Sequence, residues 1–233
     1  MASELSPERI LSNLREVRDR IAAAAARSGR AANSVRLVAV TKTVDVEVIR
    51  VLVGAGQRDL GENRPQQLRD RAATLADLDV RWHMIGHLQR NKVKYVVPTA
   101  ALVHSVDSLD LAEDLAERAE AQGLRARCLI EVNVTGEASK EGVPPGEAMD
   151  LAPAAAELPG LDLVGLMTMA PIVDDPEATR PVFAALRELR DRLNRAGGLP
   201  APLVELSMGM TQDYEVAVEE GATWVRVGSA LYR

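Results

Sequence analysis

The chain has 233 residues, a formal net charge of −6, and 47% hydrophobic against 27% charged residues, a balance that fits a globular core and argues against disorder. The negative charge and an aromatic content of only 3% disfavour an extended nucleic-acid footprint and base-stacking platforms. No apolar run approaches the roughly 18 residues needed to span a bilayer, and "MASELSPERI" lacks a basic region followed by an apolar one, so the expectation is a cytoplasmic chain with no membrane partner.

In chain order, the first predicted element is a helix in "SPERILSNLREVRDRIAAAAARSGR", with Ser6 as N-cap, Pro7 at the first helical position and apolar residues at helical spacing. Short apolar runs then alternate with amphipathic segments. The runs are "RLVAVT", "QRDLGE", "RWHMIGH", "ALVHSVD", "RCLIEVNV", "LDLVGLMTM", "PLVELSMG" and "TWVRVGS". Between them lie segments of helical period such as "VDVEVIRVLVGAG", "SLDLAEDLAERAEAQG", "PEATRPVFAALRELRDRLNRAGG" and "TQDYEVAVEEGA", most of them closing on glycine. Brief strands of nearly continuous hydrophobicity suit a parallel sheet covered by helices, and eight such units predict a (β/α)₈ barrel with an additional N-terminal helix, one domain over residues 1–233. An open doubly wound sheet is the alternative. Against it, the turn "TKTVD" after the first strand lacks the glycine fingerprint of a dinucleotide site. Cys128, the single cysteine, can form no internal disulfide and reads as a small apolar filler on a strand.

Lys42 ends the first strand, on the barrel face where this fold builds its sites. Alternation puts Val38, Val40 and Lys42 on one side, a side that suits the lumen. Two readings stay open from this stretch alone: a lysine that snorkels to solvent, or a partly desolvated amine with a lowered pKa, able to form a Schiff base. Strands seven and eight finish in "LSMGMTQD" and "VRVGSA", where this fold often binds phosphate. Gly209 and Gly228 admit close backbone approach, Ser207 and Ser229 offer hydroxyls, and a helix predicted from near Thr211 points its positive end the same way. Gly-Ser pairs are common in ordinary turns, but two of them facing a lysine across the barrel closure suggest a phosphorylated aldehyde. Pyridoxal 5′-phosphate is the obvious candidate.

His83 and His87 have a spacing that would aim both rings at one metal from a helix. On a strand, however, they stand roughly 13 Å apart, so no metal site is expected. His83 reads as a lumen or rim group hydrogen-bonding near the cofactor. Met167, in "GLMTMAP", and Tyr214, one turn into the last helix, are further candidates for the rim, although an aromatic there more often packs. Glu205 alternates with Ser207 and is expected to face inward and pair with a cation. Arg90, Lys92 and Lys94 form a small basic cluster at a helix start, a solvated face or a docking surface for acidic partners or a second phosphate. Lys140 lies in a polar loop that would overlook the mouth.

The segments "AVTKT", "GENRPQQL", "WHMIGHLQRNK", "VHSVDS", "VNVTGEASKEGV", "GLMTMAP" and "LSMGMTQDYEVAVEEGATWVRVGSALYR" together resemble the pyridoxal phosphate homeostasis proteins, which are similar to the barrel domain of bacterial alanine racemase. The resemblance spans nearly the whole chain. It implies Lys42 as the Schiff-base lysine, Ser207, Gly228 and Ser229 at the phosphate, Arg226 near the pyridine nitrogen and Asn63 of "GEN" along the cofactor's edge. A cation beside the ring nitrogen disfavours its protonation and weakens the ring as an electron sink, so no strong carbanion chemistry is expected. The resemblance further implies a carrier in vitamin B6 and amino-acid homeostasis, with transient contacts to apoenzymes that need the cofactor. With no racemase-like second domain, a monomer is expected. A pyridoxal-phosphate-dependent amino-acid racemase, and more weakly a lysine-dependent aldolase acting on a phosphosugar, remain alternatives. Arg64, His87 and Arg90 depart from the family pattern, all near the proposed mouth.

Overall fold

The computed structural model describes residues 6–137 and 141–233. The chain enters on α1 (Pro7–Arg27), where Ser6 Oγ accepts the Arg9 N–H at 3.3 Å and Pro7 occupies a position whose N–H would have no partner in the helix. Strands and helices then alternate: β1 (Arg36–Val40), α2 (Val46–Gly54), β2 (Asp59–Glu62), α3 (Pro65–Thr74), β3 (Arg81–Met84), the single turn α4 (Val93–Val96), β4 (Ala100–Val106) and α5 (Leu109–Glu120). The second half continues with β5 (Ala126–Glu131), α6 (Pro145–Ala156), β6 (Leu161–Met167), α7 (Arg180–Ala196), β7 (Glu205–Ser207), α8 (Tyr214–Glu219) and β8 (Trp224–Val227). The strands pair in sequence order, all parallel, and β8 returns to β1 in the register Val38↔Arg226 and Ala39↔Val227, which closes a (β/α)₈ barrel behind an N-terminal helix.

Strand alternation divides the interior in two. Leu37, Ala39, Leu60 and Met84 face outward into the large apolar layer beneath the helices, which α7 seals with Phe183, Leu186, Leu189 and Leu193. Each of those four leucine-sized or larger side chains contributes about 1.5–3 kcal/mol by leaving water. Inside the barrel lies a smaller apolar cluster of Val38, Ile85, Leu102, Leu129, Val164, Met167 and Trp224. Asp59, His83, His104, Glu131, Glu205, Ser207 and Arg226 are buried as well, polar groups that must find partners or lose stability.

Two elements differ from their sequence expectation. The seventh strand is only Glu205–Ser207, because Leu203 is held instead by Asn194 of α7, whose Oδ1 accepts the Leu203 N–H at 2.8 Å and whose Nδ2 donates to the Leu203 carbonyl at 2.9 Å. After Ser207 the chain turns at Gly209, with φ of +92°, where a Cβ would sit 2.5 Å from that of Ala217. The last helix starts at Tyr214 rather than near Thr211. Asp213 Oδ1 accepts the Met210 N–H at 2.6 Å and holds residues 210–213 as a turn. Among the described residues, no helix is long and apolar enough to cross a membrane.

Candidate functional site

The end of β1 is clamped from outside the barrel. Thr41 faces outward and is buried, donating its hydroxyl to Glu62 Oε1. Arg71 of α3 donates to that same carboxylate and to the carbonyls of Thr41 and Val44, while Gln67 Nε2 donates to the Lys42 carbonyl at 3.2 Å. One arginine thus meets one oxygen of a buried carboxylate and two carbonyls of the turn that carries Lys42, as a planar five-donor fork can, while Glu62 Oε2 stays buried without a hydrogen-bond partner among the described residues. The Lys42 side chain itself is exposed at the mouth, without a hydrogen bond or ion pair among the described residues. Of the two readings of this lysine, the partly desolvated amine is not what the structure shows: the backbone of the turn is held and the side chain is exposed.

Lys42 opens onto a cavity of about 410 Å³ at the carboxyl ends of the strands, lined also by Asn63, Arg226, Gly228 and Ser229 and by the apolar Ile85, Met169 and Met210. Asn63 is held there by a close crossing of chains, since a Cβ on Gly86 would lie 2.6 Å from the Asn63 carbonyl oxygen. Thr211 Oγ1 accepts the Gly228 N–H at 3.3 Å, which leaves its own hydrogen for a ligand. Across Lys42, Thr43 and Asn63 this cavity continues into a second one of about 870 Å³ over α3, lined by Arg64, Gln66 and Asp70.

Five of the predicted residues, Lys42, Asn63, Arg226, Gly228 and Ser229, share the mouth cavity, and five do not. Ser207 is buried beneath it: its Oγ accepts from Arg226 Nη1 at 2.6 Å and meets His104 Nδ1 at 2.8 Å, which takes it away from any phosphate. Gly209 shapes the turn below, its carbonyl accepting the Arg226 N–H at 3.0 Å. His83 is lumenal rather than at the rim, bridging His104 at 2.9 Å and Asp59 at 3.0 Å. Met167 belongs to the apolar cluster of the lumen. Tyr214 is 2% exposed and packs under α1 with the Arg20 guanidinium 5.6 Å from its ring, so it reaches no rim; burial raises its phenol pKa.

The electrostatics of the lumen follow from burial. Desolvation brings Arg226 down to about 10, against the opposing pull of Glu131 and Asp213, so it remains a cation at neutral pH. Its second arm donates to the Thr168 carbonyl at 3.0 Å. Glu131, at the end of β5, is pushed up to about 7 by desolvation, with Arg226 opposing and Glu141 and Asp107 adding to the rise. Glu205 faces inward and pairs with Arg36, whose guanidinium lies 3.7 Å above the Trp224 ring.

At the surface, Arg90 is neutralised by Asp114 and Asp110, both at 2.6 Å, and Lys92 and Lys94 lie beside the Tyr95 ring, so the basic cluster is a solvated, partly paired face. His87 stands at the rim with Nδ1 2.6 Å from Glu141 and 3.6 Å from Asp107. Lys140 lies outside the described residues. Asp59, Arg71, His104 and Glu131 escaped the sequence reading, although alternation along β2 and β4 puts Asp59 with Gly61 and His104 with Leu102 on the lumen side.

Residues 11–233 match the family model described as alanine racemase, N-terminal domain. A pyridoxal phosphate homeostasis protein of Aquifex aeolicus is 45% identical over 94% of this chain and 95% of its own length. The chain belongs to the pyridoxal phosphate homeostasis family. The solved structure of PipY from Synechococcus elongatus PCC7942 with PLP bound superposes at a TM-score of 0.85 and 34% identity, covering 96% of this chain and all of that chain. Alanine racemase of Clostridium difficile, at 16% identity and a TM-score of 0.74, shares the fold over 97% of this chain and 55% of its own. At that identity the likeness to the racemase is one of fold alone.

Proposed function

We propose that this family member binds pyridoxal 5′-phosphate at the barrel mouth and holds it for vitamin B6 and amino-acid homeostasis, without strong catalysis of its own. The observation that carries the reading is one cavity with a lysine amine that has no partner among the described residues on one wall, the Thr211 and Ser229 hydroxyls on another and the Arg226 cation at its floor. These groups fit the cofactor by their chemistry: an amine for an aldehyde, hydroxyl and backbone donors for a phosphate, and amide and apolar walls for a ring. When bound, the cofactor supplies an aldehyde that condenses with an amine and an aromatic ring able to draw off electrons.

The protein's own residues decide how far that chemistry runs. Lys42 supplies the amine, presented by a turn whose carbonyls Arg71 and Gln67 already hold. Gly228, Ser229 and Thr211 bind the phosphate, and Asn63 lines the edge. Arg226, with both arms committed to Ser207 and Thr168, keeps positive charge where the resemblance puts the ring nitrogen and disfavours a proton there. Tyr214, buried under α1, supplies no second base opposite Lys42. The reading is therefore of a carrier, acting as a cytoplasmic monomer through transient contacts with apoenzymes. Met169 and Ile172, exposed on the lip of the mouth, favour such contacts.

An absorption spectrum of the purified protein with added pyridoxal phosphate tests it. A visible band that is lost in Lys42→Ala is expected; a wild type that takes up none of the cofactor overturns the reading. Exchange of the Cα proton of added amino acids at enzyme-like rates would replace the carrier with a racemase.

A further inference from the structure

The lumen holds a row of polar side chains that the mouth cavity does not account for. From the amino-terminal face upward they are Asp59, the first residue of β2, then His83, His104 and Ser207, ending at Arg226 below the mouth. Successive contacts measure 3.0, 2.9, 2.8 and 2.6 Å, and all five residues are buried. Below the row, Arg81 anchors Asp59 through two hydrogen bonds of 2.8 and 2.6 Å.

The two ends dictate where every hydrogen lies. A guanidinium can only donate, so Ser207 Oγ accepts from Arg226 and keeps its own hydrogen available for His104 Nδ1. His104, neutral, then carries its hydrogen on Nε2 and donates to His83 Nδ1. From the other end, an ionised carboxylate can only accept, so His83 donates from Nε2 and leaves Nδ1 bare. With both rings neutral, the bare His83 Nδ1 takes the His104 Nε2 hydrogen, which leaves His104 Nδ1 to accept from the Ser207 hydroxyl. A proton added to His83 would set two N–H groups face to face. One added to His104 would strand the Ser207 hydrogen and put a second cation beside Arg226. Burial lowers the pKa of both rings, in keeping with neutral imidazoles, while at Asp59 burial pushes upward and the hydrogen bonds from Arg81 and His83 together outweigh it, holding the carboxyl down at about 2.

We propose that Asp59, His83, His104 and Ser207 form a one-directional hydrogen-bond chain through the barrel, and that these positioning residues fix the Arg226 guanidinium at the floor of the mouth from the opposite face of the molecule. The importance of this for the cofactor rests on the proposed function; the chain itself does not. Because each group has one arrangement compatible with its neighbours, the set holds as a unit. Loss of a middle member frees the Ser207 hydroxyl to rotate and leaves Arg226 with Thr168 as its firm anchor.

The test uses the cofactor-free full chain with ¹⁵N-labelled histidine and arginine. At pH 7 the His83 and His104 rings should both be neutral with hydrogen on Nε2, assigned by His83→Gln and His104→Gln against the exposed His87. Hydrogen on Nδ1 of either ring overturns the chain. The Arg226 Nη hydrogens should be protected from exchange, with protection falling about fivefold or more in Ser207→Ala, the scale of one ordinary hydrogen bond, and returning in Ser207→Thr. Unchanged protection in Ser207→Ala overturns the positioning role. If that variant fails to fold, the ring tautomers and Arg226 protection of the wild type still decide, since an unprotected Arg226 there contradicts the proposal equally. A wild type that binds no pyridoxal phosphate sinks the proposed function and leaves these results standing.

Discussion

At the scale of single residues, the molecule separates a reactive group from the groups that hold it. Lys42 is exposed and has no partner among the described residues, while Thr41 beside it is fully buried on Glu62. Glu131 is the residue whose charge state should be most visible in solution. Its folded-state pKa, at about 7, stands above the ordinary carboxylate value of 4.5. The unfolded chain therefore releases this proton first as pH rises, so the native state binds more protons between about pH 4.5 and 7 and stability falls across that window. Glu131→Gln cannot release the proton, and its thermal stability relative to wild type should rise from pH 5 to pH 8 by up to about 3 kcal/mol. A difference that stays flat with pH would show that Glu131 is not desolvated. At the amino-terminal face, Asp59→Ala leaves the buried His83 N–H without its acceptor and should lower stability by about 1–3 kcal/mol in urea unfolding, with no change in the denaturant slope.

At the scale of elements, the function of α3 is to aim the end of β1. Arg71→Ala would leave the fully buried Glu62 carboxylate with only the Thr41 hydroxyl and release two carbonyls of the Lys42 turn, which predicts a loss of about 3–5 kcal/mol, the range for breaking a buried ion pair. Arg71→Lys keeps the charge but not the fork, so it should lose less stability and still slow uptake of pyridoxal phosphate, as followed by the visible band. An uptake rate equal to wild type would deny the turn its role. Legibility from sequence was uneven among these elements, for physical reasons. The strands β1, β5 and β6 were legible because both of their faces are buried, and α1 and α7 because a wide apolar stripe faces the barrel. By contrast, α3 buries only Pro65 and Leu68, so its pattern is faint although its position matters most. The short β7 was overestimated because Leu203 and Val204 look like strand while Asn194 claims Leu203 for α7. Within the site, Gly228 and Ser229 stand in a local motif, whereas Lys42 stayed between two readings on its own stretch and Arg226 and Asn63 came from the family resemblance. Ser207 was misplaced because its partners, His104 and Arg226, lie 103 and 19 residues away and no local pattern reports them.

At the scale of the whole molecule, closure of the barrel puts the first strand beside the last and thereby brings Lys42 and the β8 loop to one cavity. The N-terminal helix stabilises this closure. Arg30, after α1, donates to the carbonyls of Val218 and Ala222, both at 2.9 Å, and Asn13 donates to those of Leu231 and Arg233 at 3.2 and 2.8 Å. Arg30→Ala should thus lower the stability of the barrel and hasten loss of bound pyridoxal phosphate together, measured as a lower Tm and a faster decay of the visible band on dilution. Unaltered cofactor retention in a destabilised variant would separate α1 from the site. The central claim, that Lys42 is the covalent anchor, is tested most directly by reducing the protein loaded with pyridoxal phosphate with borohydride and mapping the label among its four lysines by mass spectrometry. One label per chain is expected, on Lys42 and absent from Lys42→Ala; a label on Lys92, Lys94 or Lys140, or one undiminished in Lys42→Ala, would contradict that role.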